Sequence, residues 1–422
     1  MFFSMCKSKK TMSRKVTSPT PRPSPSLRKT QHHSSSSNPY DSTGSDNFII
    51  PSTASTSSFY RNSHGSRNSA SASLSSLRES ISREQPHIYD FQEIIAATNN
   101  FLIKPHSKSS SSTAWRCTVR DQLCLIFQRR TRRQMDTAQI VDRLAVICRS
   151  HHSSLVKLKG ASISGAYIYL VYDYVPGANL ADCLRNARNP NFTVLSNWMS
   201  RMRVASDIAH GLDYVHNSTG LGFEFVHNHI KSSSIIVVEP SLNAKLCHFG
   251  TSELCGEIIR EDCSVDSNRE LKRSSSKVNK LEGTRGYMAP EFQKSGIVTQ
   301  KCDVYAFGVV ILELLSGMEA LAYEIDEESG SYARISVVET ARAAVKEGGV
   351  RKWVDRRLRD SYPVAVVEKL VRLALDCVED DPESRPDMGR VAVRVSQMFL
   401  ESQDWAGNMG SVTDFTVTLG PR

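Results

Sequence analysis

The chain has 422 residues, of which 40% are hydrophobic and 8% aromatic, which predicts a folded protein with a sizeable core. Its ten cysteines include no CxxC pair, which argues against a disulfide framework, and no apolar run reaches the ~18–20 residues of a membrane helix. The net charge is +9, but residues 1–86 carry +8 of it, so the charge does not argue for a nucleic-acid-binding domain. These features predict a cytoplasmic protein.

Residues 1–86 are rich in Ser, Thr, Asn and Pro and are predicted to be disordered, because such a segment buries too little apolar surface to offset the entropy of ordering. Near its start, Cys6 lies beside Lys7, Lys9 and Lys10. S-acylation of Cys6 together with this basic patch would supply the two signals that stable membrane anchoring requires. The tail is therefore either a peripheral anchor, at the inner face of the plasma membrane, or a solvated basic segment.

A β-rich region follows a short helix. Apolar spacing in "YDFQEIIAATNNF" predicts a helix that ends at Asn99-Asn100. The runs "QLCLIF" and "AYIYLVYDYV" indicate strands, and a helix is predicted between them over Ala138–Cys148.

After Pro176 the apolar residues recur every three to four positions, which predicts helices in four stretches. They read "WMSRMRVASDIAHGLDYVH", "DVYAFGVVILELLSG", "VVEKLVRLALDCV" and "MGRVAVRVSQMFL". The predicted fold is α+β, with one domain over residues 87–400 and a C-terminal tail over 401–422. Within the domain, a small β-rich lobe (about 101–172) and a helical lobe (177–400) are joined by residues 173–176. A polar insert, Glu257–Lys280, is predicted to be a mobile loop.

Several motifs in this order resemble the protein kinase fold. They are "GTRGYMAPE" (Gly283–Glu291), "DVYAFGVVILELLSG" (Asp303–Gly317) and "RPDMGRV". "LVYDYV" resembles the hinge that joins the two kinase lobes, with Tyr172 at the gatekeeper position and Asp173, Tyr174 and Val175 after it. The lead-in "FQEIIAATNNF" is similar to plant receptor-like kinases, and "YAFGVVILELLSGMEAL" looks most like the LysM receptor kinases.

The resemblance implies phosphoryl transfer from ATP with Mg²⁺, but the N-terminal lobe departs from the family's pattern. Ser107, Ser109 and Ser112 stand where the family has the glycines that let backbone approach the phosphates. Phe127 or Gln128 stands at the position of the strand lysine, and Arg129 or Arg130 could stand in for its charge. Arg143 stands at the position of the partner glutamate. The usual lysine–glutamate ion pair is therefore not expected.

The catalytic motifs depart as well. "HNHIKSSSII" aligns with the H-R-D-x-K-x-x-N loop, so His229 replaces the catalytic aspartate and Ser234 the asparagine, while Lys231 is retained. In "HFG", His248 replaces the Mg²⁺-binding aspartate of D-F-G, and imidazole is a poor ligand for Mg²⁺. These departures argue against binding of ATP with Mg²⁺, and no cofactor is expected to be required.

The positions that hold the kinase fold together are retained. His227, Phe249 and Ile147 match residues that stack into the regulatory spine, and Asp303 matches the helix residue that anchors the catalytic-loop backbone. Glu291 and Arg385 match the buried ion pair of the large lobe. The resemblance therefore predicts a kinase fold without kinase chemistry, a pseudokinase.

Three functions remain open. The first is a pseudokinase that binds, scaffolds or modulates active receptor-like kinases in signal transduction. The second is a weak atypical Ser/Thr protein kinase that uses Lys231. The third is a nucleotide- or metal-sensing module, in which His229 and His248 would bind Zn²⁺; the alternative is that these histidines only fill a vacated polar pocket. Ser274, Ser275 and Ser276 in "LKRSSSK" are either phosphorylation sites or part of a solvated loop.

Overall fold

The computed structural model describes the residues 86–109, 111–132, 136–186, 195–218, 225–258, 283–325 and 332–412. For residues 410–412 it describes the backbone alone. All of the described residues belong to one compact unit, Arg67–Arg422. The predicted tail before residue 86, with Cys6, and the serines Ser274, Ser275 and Ser276 lie outside the described residues. Within these ranges, none of the helices has the length and apolar character needed to cross a membrane.

The first lobe is built on a six-stranded sheet with the strand order β1-β5-β6-β4-β3-β2. Its neighbouring strands are antiparallel, except that β1 runs parallel to β5. The strands are β1 (His87–Ile88), β2 (Ser107–Lys108), β3 (Ser112–Val119), β4 (Gln122–Arg130), β5 (Leu158–Ser164) and β6 (Tyr167–Asp173).

Two helices cover this sheet. Helix α1 (Phe91–Ala97) begins at the capping box of Asp90 and Glu93, and the chain turns away after it through three residues with a positive φ, Asn99, Asn100 and Phe101. Helix α2 (Thr137–Arg149) buries one face at three-to-four-residue spacing, through Ile140, Leu144, Ile147 and Cys148. The predicted helix over 138–148 is thus confirmed, and both lead-in elements, β1 and α1, belong to the β-rich lobe.

The second lobe is mainly helical, as predicted, and contains two small sheets, β7-β8-β9 and β10-β11. Its strands are β7 (Gly177–Asn179), β8 (Ile235–Val238), β9 (Ala244–Leu246), β10 (Leu321–Ile325) and β11 (Tyr332–Ser336). Its helices are α3 (Leu180–Arg185), α4 (Trp198–Asn217), α5 (Thr251–Leu254), α6 (Pro290–Ser295), α7 (Gln300–Ser316), α8 (Val337–Lys346), α9 (Val350–Trp353), α10 (Val364–Cys377) and α11 (Met388–Val412).

Helix α7 lies at the centre of the helical lobe and is buried along almost its whole length. Gly308 lets α10 approach it closely, because a Cβ at this glycine would lie 2.7 Å from a methyl carbon of Val378. Gly317 ends the helix with a left-handed φ of 71°. The pattern "AFGVVILELL" is apolar all round because the helix contacts neighbours on every side.

The C-terminal boundary was predicted too early. Helix α11 continues from Met388 to Val412, so the tail predicted from residue 401 is helical over its first part. The extension is held by packing, since the indole N–H of Trp198 in α4 donates to the buried hydroxyl of Ser402 at 2.9 Å. The hairpin of β10 and β11 was not predicted.

Candidate functional site

A cleft of about 680 Å³ is lined by the residues at which the catalytic motifs were located. The hairpin of β2 and β3 and the strand β4 line one side. The segment Asn228–Ser234, His248 and Glu257 line the other, together with residues of α7 and of the loop that precedes α6. The structure therefore brings the sequence-predicted site residues of the loops into one place.

The pleat of β4 decides which residue stands at the lysine position. Phe127 faces the cleft, opposite Ala114 of β3 and Leu170 of β6, whereas the amide of Gln128 points the other way and donates to the hydroxyl of Tyr169 at 3.0 Å. The Phe127 ring packs edge-on against Tyr172 at 5.8 Å and against His248 at 4.7 Å between centroids. An aromatic contact thus takes the place where the family pattern has a lysine and an aspartate.

Arg129 lies on the same face of β4, two residues further on, and its guanidinium Nη1 is 3.3 Å from the Glu257 carboxylate. Both side chains are about one-tenth exposed. Arg130 is exposed at the end of the strand and does not line the cleft. Of the two arginine substitutes considered from the sequence, only Arg129 therefore reaches the site.

Arg143 of α2 is paired, but with a partner that the sequence did not suggest. Its Nη1 lies 3.7 Å from the buried carboxylate of Glu253 in α5. Helix α5 follows the "HFG" motif directly, and Gly250 begins it with a φ of +81°, where a Cβ would lie 2.6 Å from Ile147. The charges at this contact are reversed relative to the family's glutamate on the helix.

The loop that carries His229 is anchored through its backbone. The Asp303 carboxylate accepts hydrogen bonds from the backbone N–H groups of His227 at 2.7 Å and Asn228 at 2.8 Å, and its Oδ2 lies 3.0 Å from Nε2 of His216. Asn228 has a left-handed φ of 60°. Asp303 is buried and fully engaged with its own lobe.

His229, which stands at the position of the catalytic aspartate, contacts a carboxylate. Its Nε2 lies 2.9 Å from Oε2 of Glu257, whose side chain is 8% exposed. Burial raises the pKa of Glu257, but the imidazole of His229 and the guanidinium groups of Arg129 and Arg132 outweigh it and lower this pKa to about 2. Glu257 is therefore an anion inside the cleft. The rest of the insert predicted to be mobile, from residue 259 to Lys280, lies outside the described residues.

Two further residues of this loop, Lys231 and Ser234, line the cleft. Lys231 donates to the Thr284 hydroxyl at 3.2 Å, and burial, assisted by the charge of Arg129, lowers its pKa. Ser234 is buried, and among the described residues its hydroxyl has no hydrogen-bond partner.

Burial keeps two histidines of the site uncharged. It lowers the pKa of His227 to about 4 and that of His248 far below the ordinary range, the latter with help from the positive charge of Arg129. A neutral His248 packed against Phe127 cannot supply the negative charge that its family position gives to Mg²⁺.

The chain does not fit a bound cation at this site. The rings of His229 and His248 are 5.8 Å apart, and the described residues contain no group of three or more His, Cys, Asp or Glu side chains that would hold a metal. Asp303 is used by the loop backbone, and Glu257 is used by Arg129 and His229. Mg²⁺ prefers several oxygen ligands, and neither carboxylate that lines the cleft is free of a cationic or N–H partner.

Two of the serines at the glycine positions, Ser109 and Ser112, bond to each other. Ser109 N–H donates to the Ser112 carbonyl at 2.8 Å, and the two hydroxyls lie 2.9 Å apart. Ser107 belongs to the short strand β2, where it pairs with Ala114. All three serines line the cleft, at positions where the family has glycine.

The hinge residues lie at a second cavity of about 560 Å³. Asp173, Tyr174 and Val175 line it, and none of them lines the first cleft. Asp173 forms an ion pair with Lys159 at 3.0 Å, and the Tyr174 ring lies under the guanidinium of Arg116 at 4.1 Å.

Most residues assigned to structural roles are buried. The Tyr172 hydroxyl donates to the Phe249 carbonyl at 2.7 Å and lies 3.0 Å from the Thr251 hydroxyl, so the gatekeeper holds the "HFG" backbone. Ile147 and Phe249 share the main hydrophobic core, and His227 is fully buried. Elsewhere, Arg385 forms two hydrogen bonds of 2.7 Å to Glu291.

Sequence reasoning missed Glu257 and Glu253 as members of the site. Their signal is the stretch "TSELCGE" directly after "HFG". It carries two carboxylates, which pair with Arg143 and Arg129 of the other lobe. Only the folded chain pairs them, since 128 residues separate Arg129 from Glu257.

Comparisons with known proteins identify the family. A family model of the protein kinase domain matches residues 124–395. LysM domain receptor-like kinase 3 of Arabidopsis thaliana is 31% identical over 336 residues, which cover 77% of this chain and 48% of that protein. Chitin elicitor receptor kinase 1 of the same plant is 30% identical over 331 residues, with the same two coverages. The chain thus spans about half the length of these curated relatives.

Among solved structures, the pseudokinase domain of BIR2, described as an immune regulator of the RLK/Pelle family, has the same fold. Its TM-score is 0.56 at 23% identity, and the match covers 74% of this chain and 86% of that one. The ordered motifs, the two lobes and these matches agree. The chain therefore belongs to the protein kinase family, and its homologues include plant LysM receptor-like kinases.

Proposed function

We propose that this chain is a pseudokinase, a kinase-fold protein that does not transfer phosphate and acts by binding active receptor-like kinases. The observation that carries the proposal is the contact of Phe127 with His248, 4.7 Å between ring centroids, at the two positions where the family pattern has the phosphate-binding lysine and the Mg²⁺-binding aspartate.

Several groups that contribute to phosphoryl transfer are missing from the cleft. A positioned general base contributes roughly 10²–10⁴ in rate, and His229 in place of aspartate would forfeit part of that. Among the described residues of the cleft, neither carboxylate is free to bind the metal that neutralises the developing charge, and Arg143 pairs with Glu253. These contributions act as a unit, so their loss together is expected to remove transfer altogether.

The retained contacts support a role that depends on shape. Asp303 fixes the loop backbone, Tyr172 holds the "HFG" segment, and Arg385 with Glu291 braces the helical lobe. Because these contacts hold the loops and the helical lobe in one arrangement, the surface that a partner would bind keeps one shape. The relatives' names place them among receptor-like kinases, and we propose that the chain works in the cytoplasm as scaffold or allosteric partner of such a kinase.

The test is to mix the purified chain with the kinase domain of the Arabidopsis LysM domain receptor-like kinase 3. We expect binding and a changed rate of phosphorylation by that kinase, and no phosphate on either protein when the partner is made catalytically inactive. Absence of binding to this partner and to other plant receptor kinase domains would contradict the partner role. Phosphate transferred to the inactive partner would contradict the pseudokinase assignment.

One observation favours a second function, a weak atypical kinase. His229 lies 2.9 Å from Glu257, and a histidine oriented by a carboxylate is an arrangement found in general bases. In this reading Lys231 would hold the transferred phosphate. Residual phosphate transfer by the natural chain that falls in both His229→Ala and Glu257→Ala would favour this function. The pseudokinase proposal expects no phosphate transfer above background by the natural chain or by either variant.

A further inference from the structure

The hairpin of β10 and β11 carries an exposed apolar surface. Its strands run antiparallel, and Ile325 pairs directly with Tyr332, next to the pair of Tyr323 and Arg334. Directly opposite residues, and residues two apart in one strand, lie on the same face of a sheet, so these four side chains form one face, called here the hairpin face. Tyr323, Ile325 and Tyr332 are 54%, 62% and 73% exposed. Adjoining exposed apolar side chains of this kind mark protein interaction sites.

The edges of the hairpin are open as well. In the part of the chain that the structure describes, β10 and β11 pair as strands only with each other. The opposite face of the hairpin is also uncovered, since Glu324 and Ala333, which pair with each other, are exposed there. A two-stranded sheet is only marginally stable by itself and gains from additional strands. The outer edge of each strand therefore offers backbone groups to a partner strand.

The side chains along the two edges decide which one can meet a second copy of itself. Two copies related by a two-fold axis pair the same strand antiparallel. Pairing β11 over its whole length would centre on Arg334 and place two arginines opposite each other, which destabilises a sheet. Pairing β10 over its whole length centres on Tyr323 and places Tyr323 opposite Tyr323 and Leu321 opposite Ile325. These are apolar pairs, so β10 is the edge that fits its own copy.

We propose that β10 is a self-association edge, through which two copies of the chain pair antiparallel about Tyr323 to form a four-stranded sheet. The row of side chains through the axis then has the two Tyr323 rings at its centre and an Arg334 at each end, so that each ring has a cation beside it. On the other face each Glu324 lies opposite Ala322 of the other copy, and no like charges meet. Because the edge is only five residues long, the contact is smaller than the ~1,600 Å² of a stable complex, and the dissociation constant is roughly 10–100 µM.

This inference goes beyond the proposed function. The hairpin belongs to the helical lobe, and the residues that line the cleft do not include those of its strands. Self-association and binding of a receptor kinase are measured separately, so failure of one proposal leaves the other standing.

The test is sedimentation velocity of the purified full chain at concentrations from about 2 µM to about 200 µM, which bracket the expected dissociation constant. We expect the sedimentation coefficient to rise from that of a monomer to that of a dimer. Tyr323→Lys places two ammonium groups opposite each other at the axis and should weaken association about tenfold or more. Leu400→Lys is the matched control, since Leu400 is 59% exposed on α11 and its substitution adds the same charge away from the hairpin.

A cysteine at the axis tests the register. In Tyr323→Cys the two thiols take directly opposite positions, where the Cα atoms of antiparallel strands lie about 4.5–5.5 Å apart, within the span of a disulfide. We expect oxidation with copper phenanthroline to link two chains of this variant, and to link them more than chains of the natural protein. Tyr332→Cys is the control and should not add a link, because the β10 strands of both copies lie between the two cysteines.

A chain that stays monomeric at the highest concentration, or an association that Tyr323→Lys leaves unchanged, would overturn the proposal. Linking of Tyr332→Cys to the same extent as Tyr323→Cys would overturn it too, because the copies would then meet in another arrangement. If Tyr323→Lys does not fold, the cysteine variants decide, and Tyr323→Cys that forms no link between chains beyond that of the natural protein overturns the proposal.

Discussion

Replacing Glu291 with alanine should destabilise the helical lobe, because the guanidinium of Arg385 would stay buried without its carboxylate. The Arg385 side chain is fully buried and Glu291 is 22% exposed. Two charge-assisted hydrogen bonds of 2.7 Å would be lost. Each contributes about 1.5–3 kcal/mol, but carbonyl groups of Glu379 and Lys301 still accept from the guanidinium, so we expect a loss of about 3 kcal/mol.

The assay is thermal unfolding followed by circular dichroism. At ~2 °C per kcal/mol for a chain of this size, the midpoint should fall by about 6 °C. Asp376→Ala is the matched control, since it removes the carboxylate of an ion pair with Arg394 that is half exposed on both sides and should cost less than about 1 kcal/mol. A midpoint for Glu291→Ala no lower than that of Asp376→Ala would refute the reasoning.

Three further substitutions test other parts of the account. Tyr172→Phe removes the hydroxyl that donates to the Phe249 carbonyl and should cost about 1–2 kcal/mol of unfolding free energy in urea titrations; a cost near zero would mean that the gatekeeper does not hold the motif. Burial lowers the pKa of His227 to about 4, against about 6.5 in the unfolded chain, so the unfolded state binds more protons between these values and stability falls as the pH is lowered through them. His227→Phe should therefore lose about 1–2 kcal/mol less than the natural chain between pH 7 and pH 5, and equal losses would contradict the assignment. Gly308→Ala should cost about 1–3 kcal/mol by overpacking α7 against α10, whereas Gly407→Ala in α11, with open space around it, should be neutral or stabilising in the same melts.

Local sequence pattern was sufficient for most elements of the fold. The helix predicted over Ala138–Cys148 is found over Thr137–Arg149, because its apolar residues recur on the one face that packs on the sheet. The helical stretches after Pro176 are found as well, and α7, which is apolar all round, is buried along almost its whole length. Their assembly into two lobes followed from the ordered kinase motifs, which fix a fold that periodicity alone does not.

The candidate site was predicted only in part, because its defining contacts are distant in sequence. Whether Phe127 or Gln128 stands at the lysine position depends on the pleat of β4, and a one-residue shift exchanges the two faces. The pairing of Arg143 with Glu253, and of Arg129 with Glu257, depends on how the segment after "HFG" folds back. The sequence showed an arginine, Arg143, at the position of the family's glutamate, but it did not identify Glu253 as its partner.

The central claim is that the fold persists without phosphoryl transfer. It is tested most directly by incubating the purified full chain with labelled ATP and Mg²⁺ or Mn²⁺ and counting label on the chain and on a general protein substrate. The account predicts incorporation no greater than that of a Lys231→Ala, His229→Ala double variant prepared in the same way. Incorporation clearly above that variant, and proportional to the amount of the natural chain, would contradict it.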